Sequence, residues 1–452
     1  MTRTLPAALV AVLAASSVFA AEPDVKFEKY QLDNGLTVIL SEDHRIPQVA
    51  VDIWYHVGAA NQSPGKSGFA HLFEHMMFSG AKHIGPQPFK ILEAVGVSAG
   101  SMANGTTSFD RTNYFEVVPS NELPTAIWLE ADRMGFLLDT LDEKKLAIQR
   151  DVVSNERRQS YENRPYGIAR LRLCDLLYPA PHPYYNCVIG TISEIQGASM
   201  EDLRAFFRKY YAPNNASLVL VGDFDPKVAK ELIQKYFGPV PKGSPVEKPN
   251  LPQPKLDKPI TETLVDKVAE LPMLSIAWPG VKPFSEDEAA GDILSLVMGE
   301  GKNSRLYKTL VFDKRIASEV SVGNAALGLG GYFSVNVIAQ AGHTLDEIKP
   351  QVDALIDEVK KNGVTPEEVE RAKRKLLASK LRQVERIGGF GGKADLLNEY
   401  ETMLGNPGYL TQDLARYRAV TPEQVKAFAN KYLTPNRLTL DVVPASKAEG
   451  AH

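Results

Sequence analysis

The stretch His71-Leu72-Phe73-Glu74-His75 sets two imidazoles one helical turn apart with a carboxylate beside the second. On a helix both imidazoles share a face and can reach one divalent ion, while Glu74 is close enough to serve as a base toward a water on that ion. A helix is a reasonable expectation here. Ser67 is available as its cap, Phe69, Leu72, Phe73, Met76 and Met77 give it apolar surface, and Gly80 can end it. The bland reading of the same residues is two core or capped histidines next to a surface glutamate. A catalytic zinc takes three protein ligands and keeps a fourth position for water, so a third ligand has to come from elsewhere. The candidate is Glu156. It lies on a helical stripe with Leu146, Gln149 and Val153, in a segment opened by Asp142. The same glutamate, flanked by Arg157 and Arg158, also reads as an exposed carboxylate on a charged helix end, and periodicity leaves both readings open.

These residues need a scaffold, and the rest of the chain describes one. At 452 residues the chain exceeds one core, since domains hold about 100–200 residues, so two domains are expected. With 44% hydrophobic and 23% charged residues it has the composition of a globular protein. A net charge of −4 without a long Lys/Arg run argues against a nucleic-acid partner. Between Pro239 and Pro259 the sequence is too rich in proline for a helix or an inner strand and reads as a linker. The segments on either side end alike. Glu201, Ala205-Phe206, Lys209-Tyr210 and Pro213-Asn214 recur at one constant offset as Glu423, Ala427-Phe428, Lys431-Tyr432 and Pro435-Asn436, each run followed by a strand-like segment (217–221 and 438–442). Strand alternation at 36–40 and 49–54 precedes helical periodicity at about 68–78, 124–138, 143–159, 200–210 and 366–382. The expected class is α+β with two similar sandwich halves, 21–238 and 260–445, joined by linker 239–259 and followed by a frayed tail, 446–452.

The first residues combine a basic start at Arg3, an apolar stretch from Leu5 to Ala15 and the small-residue ending Val18-Phe19-Ala20. This predicts a cleaved secretory signal over 1–20, and a periplasmic protein if the source is Gram-negative. A membrane anchor is the other reading, although the run falls short of the ~20 residues a span needs. An oxidising compartment would let Cys174 and Cys187, the only cysteines, form a disulfide if geometry allows. The alternative is two separately buried thiols.

The chain resembles the pitrilysin/insulinase family of inverted-motif zinc peptidases, on His71-Leu72-Phe73-Glu74-His75, Val152-Val153-Ser154-Asn155-Glu156-Arg157-Arg158-Gln159, His182-Pro183-Tyr184, Ile189-Gly190 and Leu220-Val221-Gly222-Asp223-Phe224-Asp225. The resemblance implies one zinc ion held by His71, His75 and Glu156, Glu74 as general base, and endopeptidase activity on extended or unfolded peptides. It also implies a processing-peptidase-like fold closing like a clamshell, with Asn104, Gly105 and Thr106 on an edge strand that takes the substrate as an extra strand.

Two departures stand out. Where many relatives carry a supporting glutamate this chain has Gln149, which keeps hydrogen bonding but adds no charge. Where complete enzymes of the family carry an Arg and a Tyr that bind the substrate carbonyl, this chain has Phe312 and Ser318, and its second half holds no metal motif. The expectation is a zinc-bearing subunit of a heterodimer whose similar partner supplies the Arg/Tyr pair. The alternatives are a homodimer in which Arg305, Tyr307 or Arg315 substitutes, an idle scaffold or chaperone-like subunit, and a structural zinc protein.

Overall fold

The computed structural model describes residues 25–445, so the expected signal over 1–20 and the tail over 446–452 lie outside the described residues. Alternation with period two organises both sheets. On β2 (Thr37–Glu42), Val38 and Leu40 enter one apolar cluster while Ile39 enters another on the opposite face. The first sheet also contains β1 (Glu28–Gln31), β3 (Gln48–Tyr55), β4 (Ala103–Thr107), β5 (Thr112–Pro119) and β6 (Ala216–Gly222), in the order β1-β2-β6-β3-β5-β4. The second sheet is built from β7 (Ile260–Asp266), β8 (Met273–Pro279), β9 (Ala317–Ala325), β10 (Tyr332–Ala339) and β11 (Leu438–Pro444), in the order β7-β11-β8-β10-β9.

The two halves repeat one plan in mixed helix and strand. The recurrent Glu…Ala-Phe…Lys-Tyr text forms the helices Met200–Tyr210 and Pro422–Tyr432. The strands that follow, β6 and β11, pair in parallel with β2 and β7, while the other ladders are antiparallel. Residues 240–259 carry no helix or strand.

Each sheet borrows cover from the other half. Ile39, Ala50, Val219 and Val221 on the first sheet meet Ile387, Ala394 and Leu397 from the segment leading into the helix Lys393–Leu404. Met273, Ala277, Leu438, Leu440 and Val442 on the second sheet meet Ala169, Leu173 and Leu177 of the helix Gly167–Leu177. Each fully buried aliphatic chain at these contacts contributes about 1.5–3 kcal/mol, so these two clusters hold the halves together. A polar junction adds direction: Tyr184 donates its hydroxyl to Asp110, Gly328 N donates to the same carboxylate at 2.9 Å, and Leu329 N donates to the Tyr184 oxygen at 3.1 Å. The text His182-Pro183-Tyr184 thus ties the turn after β4 to the loop before β10.

The helices over 69–77, 123–136 and 200–210 lie within a residue or two of their expected bounds, and the last is capped by Ser199 in a reciprocal box with Asp202. The helix from Glu143 closes at Arg157 in α geometry and continues as a wider turn, Arg158–Glu162, while the one from Pro366 runs on to Glu385. One expectation fails. Ser67 does not cap the motif helix; the cap position is Gly68 at φ 80°, and the Ser67 hydroxyl is bonded to Glu194 instead. No helix among the described residues is long and apolar enough to cross a membrane.

Candidate functional site

The motif helix, Phe69–Met77, starts where two glycines touch. A side chain at Gly68 would come within 2.7 Å of Ile189 O, and one at Gly190 within 2.4 Å of Gly68 N. That close approach fixes the helix start against the 189–190 turn and accounts for the Ile189-Gly190 text. Phe69, Leu72, Phe73, Met76 and Met77 are buried, which turns His71, Glu74 and His75 toward the cleft. The Glu143–Arg157 helix, held at its start by Asp142 accepting from Lys145 N, packs alongside and brings Glu156 to the histidines.

Three ligand-type atoms converge. His71 Nε2 and His75 Nε2 are 3.3 Å apart, and Glu156 Oε2 lies 3.2 Å from His75 Nε2 and 3.6 Å from His71 Nε2. Donors about 2.1 Å from a tetrahedral zinc ion stand about 3.4 Å from one another, so this triangle fits a zinc-sized cation without rearrangement. The ring planes are nearly perpendicular, at 89°.

Protonation sets the two histidines apart. Burial, reinforced by the neighbouring His75, pushes the His71 imidazole down to about 4, which keeps it neutral with a lone pair available. Burial also works against charge on His75, but the Glu156 hydrogen bond and the Glu74 carboxylate outweigh it and move it upward. The His75 hydrogen bond holds Glu156 below the ordinary carboxylate range against the effect of burial. Burial raises Glu74, opposed by a hydrogen bond from Thr107.

The remaining sequence candidates fall in three places. Gln149 lies against the His75 imidazole and donates to Ser79 Oγ at 3.4 Å, so it touches a histidine of the triangle as an amide can. Gly105 and Thr106 line the cavity of about 420 Å³ that contains His71, Glu74 and Glu156. Asn104 stands apart from it: Nδ2 donates to Gly100 O at 3.1 Å and Oδ1 accepts from Gly105 N at 2.8 Å, so its polar ends brace the entry to β4. Cys174 is bonded to Cys187, and both line the same cavity.

Sequence reasoning missed Thr107, Tyr161, Arg170 and Tyr332, which also line it. They come from four separate segments; Thr107 directly follows Thr106 on β4, and no local pattern marks the other three. Thr107 donates its hydroxyl to Glu74 Oε2 at 2.6 Å, leaving Oε1 to act. Thr107→Val removes that donor at nearly constant volume and is expected to lower kcat by on the order of tenfold with KM little changed, about the worth of one charge-assisted hydrogen bond. Steady-state kinetics on a quenched peptide check this, and an unaltered kcat would show that Glu74 needs no such support.

Residues 37–175 match the family described as Insulinase (Peptidase family M16), and residues 197–376 match the Peptidase M16 inactive domain. The chain is 31% identical over 352 residues to zinc protease PqqE of Helicobacter pylori, covering 77% of this chain and 78% of that protein. The crystal structure of a protease from Helicobacter pylori superposes with a TM-score of 0.85 at 28% identity, covering 93% of this chain and 99% of that one. The periplasmic protease PqqL of Escherichia coli superposes with a TM-score of 0.75 at 20% identity over 95% of this chain and 49% of that one, a likeness of fold.

Proposed function

The chain belongs to the insulinase (M16) family of peptidases, and from that premise we propose that it is an exported zinc endopeptidase for extended or unfolded peptides, acting as the metal-bearing subunit of a heterodimer. The observation that carries the reading is the triangle of His71, His75 and Glu156 with Glu74 beside it, inside the stretch that matches the insulinase family. The match to an inactive domain begins at residue 197, beyond all four residues.

Zinc held by these three side chains supplies a Lewis acid that activates water and polarises the scissile carbonyl. Glu74 accepts a proton from the attacking water at Oε1 as oxygen bonds to the carbonyl carbon. The same carboxyl then returns that proton to the amine nitrogen as the C–N bond breaks, so water is divided between the two products. Thr107 keeps the carboxyl oriented through Oε2. β4 is the last strand of its sheet and, among the described strands, pairs with β5 alone. Gly100 N and Asn104 Oδ1 occupy Ala103 O and Gly105 N on its outer edge, and the substrate backbone adds as a strand along the rest of that edge, which favours unfolded peptides over a particular sequence.

The heterodimer reading rests on the second half. Phe312 is 70% exposed and offers no donor, and Ser318 Oγ bonds carbonyls of its own sheet. Arg305, one of the three substitutes, is engaged by both Glu368 oxygens at 2.8 and 2.7 Å. The mature chain alone is expected to bind about one zinc ion and cleave peptides weakly. A co-expressed relative bearing the Arg/Tyr pair is expected to raise kcat/KM about 10²-fold, the usual worth of a group that stabilises the developing oxyanion. Full activity of the chain alone would remove the heterodimer, and zinc-loaded chain inactive in every mixture would favour an idle scaffold.

A further inference from the structure

The cavity at the metal triangle does not end there. A second cavity of about 380 Å³ opens along the face of the second sheet that the Gly167–Leu177 helix partly covers, past Met273, Glu319, Ser334 and Asn336, and Arg170 and Tyr332 line both. These two side chains therefore stand where the two cavities meet. Among the described residues lining the two cavities, Arg170 is the single lysine or arginine.

Its surroundings leave its charge available. The guanidinium stands over the Tyr161 ring at 5.6 Å, and among the described residues no carboxylate forms an ion pair with it. Other arginines near the cleft are occupied: Arg157 is bonded to Glu162 and to Gly190 O, and Arg172 grips Glu262 with three contacts. Arg170 is also held in position. It lies one helical turn before Cys174, whose bond to Cys187 ties the Gly167–Leu177 helix to the wall of the same cavity.

We propose that Arg170 is a specificity-determining residue that binds a carboxylate of the peptide where it passes from the metal triangle toward the second sheet. The inference rests on the endopeptidase reading for the peptide's presence, but the contact itself needs no cleavage. A guanidinium flanked by an aromatic ring and open to the cleft pairs with a planar carboxylate through two parallel hydrogen bonds and repels lysine or arginine at the same position. The carboxylate can be an Asp or Glu side chain or the chain terminus, since both present the same two oxygens.

Binding is the appropriate test, because it separates this contact from catalysis. Zinc-loaded Glu74→Gln chain, alone and with a co-expressed partner, is titrated with dye-labelled peptides that differ at one scanned position, Glu, Gln or Lys, each with a free or an amidated C-terminus. At one position, or at the free terminus, the carboxylate-bearing peptide is expected to bind on the order of tenfold tighter than its lysine or amide counterpart. Arg170→Gln is expected to erase that ratio and Arg170→Glu to invert it, while Arg170→Lys keeps part of it. A preference that survives amidation assigns the carboxylate to a side chain, and one lost on amidation assigns it to the chain end. Equal binding of all peptides, or a ratio unaltered in Arg170→Glu with native-like circular dichroism, overturns the proposal. Failure of wild-type cleavage with the ratio intact would instead count against the endopeptidase reading alone.

Discussion

Glu74→Gln is expected to reduce peptide cleavage by roughly 10²–10⁴-fold with zinc content unchanged. The substitution is nearly isosteric. The amide oxygen can still accept the Thr107 hydroxyl at the Oε2 position, where the distance is now 2.6 Å, and the metal triangle loses none of its three atoms. What disappears is the ability to take a proton and return it, because an amide is not basic near neutral pH. Cleavage assays and metal analysis on one preparation check the prediction together. Retained zinc with lost cleavage supports the role given to Glu74, and unchanged cleavage would move the base to another residue.

His71→Ala is expected to act on the metal itself. His71 is the most buried ligand-type side chain of the triangle, with 12% of it exposed against 21% for His75 and 41% for Glu156. Its removal leaves two donors and a void, so zinc affinity should fall by at least about 100-fold and cleavage should vanish with it. Thermal unfolding gives a second readout. A ligand present at a hundredfold excess over Kd stabilises the native state by about 2.7 kcal/mol, so added zinc should raise the Tm of the wild-type chain by several degrees and leave that of His71→Ala nearly unmoved. Equal stabilisation of both proteins would mean that zinc binds elsewhere. A chelator should reproduce the variant's behaviour in the wild type, reversibly.

Local pattern carried a long way in this chain. The spacing of His71 and His75 demanded a helix, the apolar residues between and after them gave it a buried side, and the structure has that helix at Phe69–Met77. The stripe through Leu146, Gln149, Val153 and Glu156 marked the second helix, while the periodicity left open whether Glu156 faces the first. These features were legible because helix periodicity and the pairing of apolar faces are short-range properties. The cap was misread for a related reason. Ser67 has the right chemistry for an N-cap, but Glu194, far along the chain, takes its hydroxyl, and Gly68 fills the cap position in a left-handed conformation required by the contact with Ile189 and Gly190.

The sequence by itself therefore determined the kinds of atom available for the chemistry, the helices that carry them and the repeat that makes two sheets from one plan. The tertiary structure alone decided which separate segments meet. It brought Thr107 to Glu74 and set Arg170 and Tyr332 where the two cavities meet. It also exchanged helices between the halves, so that Leu173 and Leu177 cover the second sheet while Ala394 and Leu397 cover the first. The physical reason is that burial of apolar surface is non-directional. Any apolar stripe can satisfy any apolar face, and the choice among them is made by how the whole core packs, which no local window of residues contains.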